Sequence, residues 1–169
     1  ETQCRVFAIH ATKKLLDRVK PAVTISPPDA TTALGHWYAT AVFWQPQVAL
    51  FVNETTLLPV LVALAPAKTL AQRFPAQLAT VLAALDTPQA LIVTEVEAMN
   101  EVVYTKTASR SVVGTMTEFA FMANHHRDRH GPPDLMELAT RLAGTPCSPL
   151  HKTYISPDRA LQAITAHRH

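Results

Sequence analysis

Lys106-Thr107-Ala108-Ser109-Arg110-Ser111 is the stretch whose residue types are best suited to hold an anion. A guanidinium grips phosphate or carboxylate through two parallel N–H bonds, an ammonium adds a point charge, and hydroxyls add short hydrogen bonds. Lys106, Ser109, Arg110 and Ser111 are therefore the candidate anion-binding residues, with Thr115 as a further hydroxyl. The stretch lies just before a predicted helix start, where backbone N–H groups lack intrahelical acceptors and favour negative charge. Gly114 permits a close backbone approach there. The competing reading is structural: the hydroxyls cap the helix and Arg110 pairs with an acid such as Glu118.

Lys13, Lys14, Arg18 and Lys20 lie on or beside a short predicted helix and make either a phosphate-contacting ridge or an ordinary solvated face. Trp37, Tyr38 and Trp44 can stack on bases, or fill a core. Lys13, Lys14 and Trp37 stand as additional candidate contacts. His125 to His130 is the densest titratable run, and His126 and His130, four apart, share a helix face as metal ligands can. Asp128, Cys147 or His151 would have to complete such a site, and a polar helix end ahead of Gly131-Pro132 explains the run equally well. No metal and no cofactor is expected.

The common catalytic signatures are missing. The glycines at 35, 114, 131 and 144 form neither a dinucleotide nor a P-loop pattern. Ser, His and Asp are plentiful, but there is no G-x-S-x-G elbow and no Cys-His signature. Glu95 and Glu97 are two apart on a predicted helix and face different ways; Glu97 and Glu101 can share a face, as solubilising helix acids often do.

These groups must be positioned by a chain of 169 residues, 48% hydrophobic and 17% charged, which is enough for one domain with a real core. Thirteen prolines against four glycines point to stiff connections. The longest apolar run, residues 57–65, falls far short of the roughly 20 residues a membrane-spanning helix needs. The opening residues lack the basic, apolar and small-residue order of a secretory leader. Cys4 and Cys147 read as buried thiols, so a cytoplasmic, reduced setting is expected. Net charge is +2 overall, distributed as +2 over residues 1–47, −3 over 48–101, +2 over 102–130 and +1 over 131–169. That asymmetry is too mild to announce a nucleic-acid binder by itself.

Residues 4–9 read as a strand and 12–20 as an amphipathic helix ended by Pro21, with 21–33 a surface connection. Residues 36–44, 48–53 and 57–64 form a predicted three-strand antiparallel meander whose first strand carries aromatics on both faces. Leu70, Phe74, Leu78, Val81, Leu82 and Leu85 give a helical stripe that Pro75 should kink or restart. Thr87 then caps a helix to about Met99, with a strand as the alternative at 91–93, and 102–105 is a strand. Thr115-x-x-Glu118 has capping-box spacing for a helix to about Arg127. Further helices occupy 133–142, ended by Gly144, and 156–166. The order predicts an α+β domain: an antiparallel sheet, the three-strand meander plus one or two further strands, packed against several helices. Residues 1–130 form its core, and 131–169 a helical C-terminal extension on the same domain.

The segments HATKKLLDRV (10–19), LGHWYATAVFW (34–44), ALFVNETTLLPVL (49–61) and YTKTASRSVVGTMTEFAF (104–121) together resemble an uncharacterised bacterial family of small single-domain proteins, some described as plasmid or mobile-element proteins. The resemblance covers roughly residues 8–125 and implies no mechanism. With the basic flanks, it makes a small binding module for nucleic acid or a protein partner, in a plasmid-linked or toxin-antitoxin-like system, the first functional expectation. The alternatives are a nuclease-like enzyme using Arg110 for charge stabilisation and His10, His36 or His126 as acid or base, and a homodimer formed through the aromatic hairpin edge.

Overall fold

The first β-branched run folds as a strand two residues later than its sequence pattern begins, and this shift carries His10 into the sheet. In the computed structural model, which describes residues 5–150 and 156–166, β1 spans Val6–Ala11 and α1 spans Lys13–Val19. The meander follows as β2 (Trp37–Val42), β3 (Val48–Asn53) and β4 (Pro59–Ala63), with α2 at Leu70–Ala84 and α3 at Gln89–Glu97. The chain then forms β5 (Glu101–Lys106), α4 (Arg110–His130), α5 (Leu135–Ala143) and α6 (Pro157–Ala166).

The five strands make one open sheet in the order β4-β3-β2-β1-β5. The meander is antiparallel as its spacing predicts. The expectation of a purely antiparallel sheet is corrected: β1 runs parallel to both β2 and β5, so the sheet is mixed. The cause is the pair of long connections, residues 12–36 through α1 and residues 64–100 through α2 and α3, which act as crossovers returning the chain to the same end of the sheet. Such connections do not constrain direction as a tight hairpin does.

Alternation along the strands divides the core into two layers. Phe7, Trp37 and Phe51 face α2, whose Phe74 ring meets all three. Tyr38 and Thr40 face the other way, toward α4, which packs across β2 and β3. β2, the middle strand, is thus covered on both faces, as its aromatic pattern indicates. Leu138, Leu142, Ala160 and Leu161 bring α5 and α6 into the same hydrophobic cluster as the sheet.

Three helix expectations need correction. Pro75 does not restart α2, which runs continuously through it, because burial of Leu70, Phe74, Leu78, Val81 and Leu82 outweighs one lost intrahelical hydrogen bond. Pro88, one residue after the expected Thr87, occupies the cap position of α3, and residues 91–93 are helical. The third correction bears on function. α4 begins at Arg110, with Ser109 as its N-cap, six residues before the expected Thr115 cap. Thr115 lies on the buried face, and its hydroxyl donates to the Ser111 carbonyl at 3.2 Å. Among the described residues no helix is long and apolar enough to cross a membrane.

Candidate functional site

β5 ends at Lys106, Thr107 and Ala108 turn the chain, and Ser109 caps α4. The Ser109 hydroxyl accepts from the Val112 N–H at 3.3 Å, while its own N–H donates to the Tyr38 hydroxyl at 2.9 Å. Arg110 and Ser111 therefore form the first turn of the helix rather than a loop ahead of it. Both side chains are exposed, neither has a hydrogen-bond or ion-pair partner among the described residues, and the first turn contains no acid. The backbone N–H groups of that turn lack intrahelical acceptors, so charge, donors and helix dipole all favour an anion at this end.

Tyr38 ties this end of α4 to two imidazoles. Its buried ring stacks on His10 with centroids 4.5 Å apart and an interplanar angle of 7°, and the His36 ring meets His10 edge-on at 5.7 Å. The backbone assigns a role to one nitrogen of each. His36 Nδ1 accepts the Ala8 N–H at 2.8 Å, so a proton on the neutral ring sits on Nε2. His10 Nδ1 lies 3.1 Å from the Lys106 carbonyl, to which only a protonated nitrogen can donate, so on the neutral ring Nε2 carries the lone pair. Burial holds His10 below the ordinary imidazole pKa; the Lys106 carbonyl opposes this, His36 adds to it, and Glu54 opposes it.

The position of His36 is set by the turn around it. Gly35 has φ +81°, and a Cβ there would come within 2.6 Å of the Glu54 carboxylate, which itself accepts the His36 N–H at 2.9 Å. The positive φ is what calls for glycine at 35, since the end of the Glu54 side chain could shift away from a Cβ. Gly114, by contrast, faces open space within α4, so the expected close approach of another backbone does not occur there.

The other candidates are scattered. Lys106 is exposed, but strand alternation directs its side chain to the Ala11 face, away from His10 and Thr105; only its carbonyl joins the cluster. Lys13 is exposed and pairs with Asp17 at 3.1 Å, and Lys14 lines a crevice between α1 and α4 with Thr40 and Phe121. Trp37 is fully buried against Phe74 and exposes no ring face on which a base could stack. Trp44 is buried too; its indole N–H donates to Asn124, and the Arg127 guanidinium lies over its ring at 5.3 Å.

At the other end of α4, the His126 and His130 ring centroids are 4.6 Å apart beside Asp134 and Glu137, but among the described residues no three His, Cys, Asp or Glu side chains group as metal ligands. Cys147, one proposed ligand, is buried, and burial raises its thiol pKa to about 11. Cys4 and His151 lie outside the described residues. The aromatic hairpin is not a sheet edge, since β2 and β3 are interior strands and, of its aromatics, only Phe43 is exposed.

Sequence reading lists His10 and His36 only as separate acid-base candidates and does not group them with Tyr38. The available signal is a histidine on an otherwise apolar strand and a second one two residues before a tyrosine.

The class so defined is a small domain with an open mixed sheet covered by helices on both faces. The chain belongs to the family DUF6933, a domain of unknown function, whose model matches residues 8–160. No curated protein and no solved structure matches it.

Proposed function

We propose that this domain is a binding module for a phosphate-bearing ligand, with nucleic acid as the ligand class, held at the N-terminus of α4. The observation that carries the reading is Arg110, which is exposed and unpaired among the described residues, at the start of a 21-residue helix with no acid in its first turn. Its guanidinium supplies the fork, the Arg110 and Ser111 N–H groups and the Ser111 hydroxyl supply further donors, and Lys106 adds longer-range attraction. The location fits as well, because ligands of open α/β sheets bind outside the carboxyl ends of the strands, where β5 delivers α4. A bacterial, plasmid-linked setting of the toxin-antitoxin kind accompanies this reading through the sequence resemblance.

Fluorescence anisotropy with labelled single-stranded RNA and DNA over a range of salt concentrations tests it. The wild type binds at low salt. Arg110→Ala weakens binding roughly tenfold or more, in line with about 1.5–3 kcal/mol for a hydrogen bond to a charged group. The same substitution lowers the slope of affinity against salt by about one unit. Absence of binding at low salt, or equal affinity for the variant, refutes the reading.

The alternative of a phosphoester-acting enzyme is favoured by a separate observation, the partly buried His10, whose neutral ring carries its lone pair on Nε2.

A further inference from the structure

We propose that the cleft between α3 and α6 is a binding site for a small, largely apolar molecule whose polar head donates hydrogen bonds, an alcohol or an amine. The inference goes beyond the phosphate-binding reading, since the cleft shares no residue with the start of α4. It has a volume of about 220 Å³ and is bounded by the connection at residues 31–34, the end of α2 with the turn after it, α3 and α6. An apolar cavity of roughly 150 Å³ holds benzene, so the cleft takes a ring with a short arm. Leu34, Leu82 and Leu161 are buried around it, and Leu91 and Ile164 half-buried, so the walls offered to the body of the ligand are apolar.

The polar part of the lining is biased toward acceptors, because its threonines have given their protons to the backbone. The hydroxyls of Thr31 and Thr32 donate to the carbonyls of Val6 at 3.1 Å and Gly35 at 2.7 Å. Those of Thr94 and Thr165 donate to the carbonyls of Ala90 at 2.9 Å and Gln162 at 3.1 Å. What these oxygens keep for a ligand is lone pairs. Thr87 alone has no such partner among the described residues, and its oxygen is buried out of a ligand's reach. Glu95 extends the bias. Its carboxylate, on a residue only 4% exposed, accepts the N–H groups of Ala33 and Leu34, each at 2.9 Å. These two bonds fasten the 31–34 wall to α3 and consume two backbone donors of that wall. Among the described residues no lysine, arginine or histidine lines the cleft. A hydroxyl or ammonium head therefore meets acceptors, whereas a carboxylate head meets no cation and loses its hydration without replacement. Interiors are otherwise close-packed, so an opening of this size beside a buried carboxylate is not explained by packing alone.

The test titrates the isotopically labelled full chain with phenethyl alcohol, phenethylamine and phenylacetate, which share a ring and differ in the head. The alcohol and the amine are expected to move the amide signals of Ala33, Leu34, Glu95 and Thr165 to saturation. Phenylacetate binds at least about tenfold more weakly than either, for want of donors. A tighter amine identifies the carboxylate of Glu95 as the group that reads the head, and a tighter alcohol identifies the threonine oxygens; both outcomes support the site. Ile164→Trp and Leu91→Phe, on two different helices and checked for folding by circular dichroism, each fill the cleft and abolish the saturable shifts. Thr94→Val keeps the shape, removes one acceptor and weakens the alcohol roughly three- to tenfold, as loss of a single hydrogen bond does. The inference is overturned if none of the three compounds gives saturable shifts at these positions. It is overturned equally if phenylacetate binds as tightly as the alcohol, or if the alcohol binds a folded, filled variant as it binds the wild type.

Discussion

Phe74→Ala is expected to lower the stability of this domain by about 3–5 kcal/mol, the range for truncating a fully buried phenylalanine. Phe74 is fully buried and is the point at which α2 engages three neighbouring strands. Its ring stacks on Phe51 of β3 with centroids 4.2 Å apart, meets Trp37 of β2 edge-on at 5.0 Å, and lies 6.1 Å from Phe7 of β1. Truncation removes the buried area and these aromatic contacts together, and leaves a cavity that a sheet backbone cannot easily close. Urea unfolding followed by tryptophan fluorescence measures the loss. Phe74→Leu retains most of the volume and is expected to cost clearly less. A loss below about 1 kcal/mol for the alanine variant would mean that α2 does not anchor the sheet through this ring.

Asn53→Ala is the second large effect. The carboxamide is fully buried, and its Nδ2 donates to the carbonyls of Leu34 at 2.8 Å and His36 at 3.3 Å. Its Oδ1 accepts from the N–H groups of Thr55 and Thr56 at 3.0 and 2.9 Å and from the Thr56 hydroxyl at 3.1 Å. A buried donor or acceptor left without a partner costs about 1–3 kcal/mol. Since these groups share one side chain and relax together, roughly 3 kcal/mol is expected for the whole set. Asn53→Asp also fails, because a carboxylate has no proton to donate to the two carbonyls. The turn that holds His36 and Glu54 should loosen at the same time, which faster amide exchange at Thr55 and Thr56 would reveal. An alanine variant as stable as the wild type, with unchanged exchange there, would show that the carboxamide does not organise the turn.

How far the sequence discloses this architecture depends on how local each determinant is. The meander is legible because Gln45-Pro46-Gln47 separates two alternating runs and the strand faces follow from the alternation. The parallel pairing of β1 is not legible, since residues 12–36 carry no pattern that tells a crossover from a long hairpin connection. The start of α4 is misread because Ser109 and Thr115 are both plausible caps, while Ser111, Val112, Val113 and Gly114 are poor helix formers. The decision is tertiary: Val112, Met116, Phe119 and Ala123 are buried at helical spacing against the sheet. Arg110 can be nominated from composition, but its exposure and its lack of a partner among the described residues are facts of packing. The His10–His36 arrangement is further out of reach, because it needs two backbone hydrogen bonds between segments distant in sequence.

Titration of isotopically labelled protein with inorganic phosphate, followed by amide chemical shifts, is the most direct test. If the start of α4 is the receptor for negative groups, the N–H signals of Arg110 and Ser111 move farthest and saturate, and Arg110→Ala suppresses the movement. Unmoved signals at those two positions, or shifts confined to the lysines of α1, would contradict it.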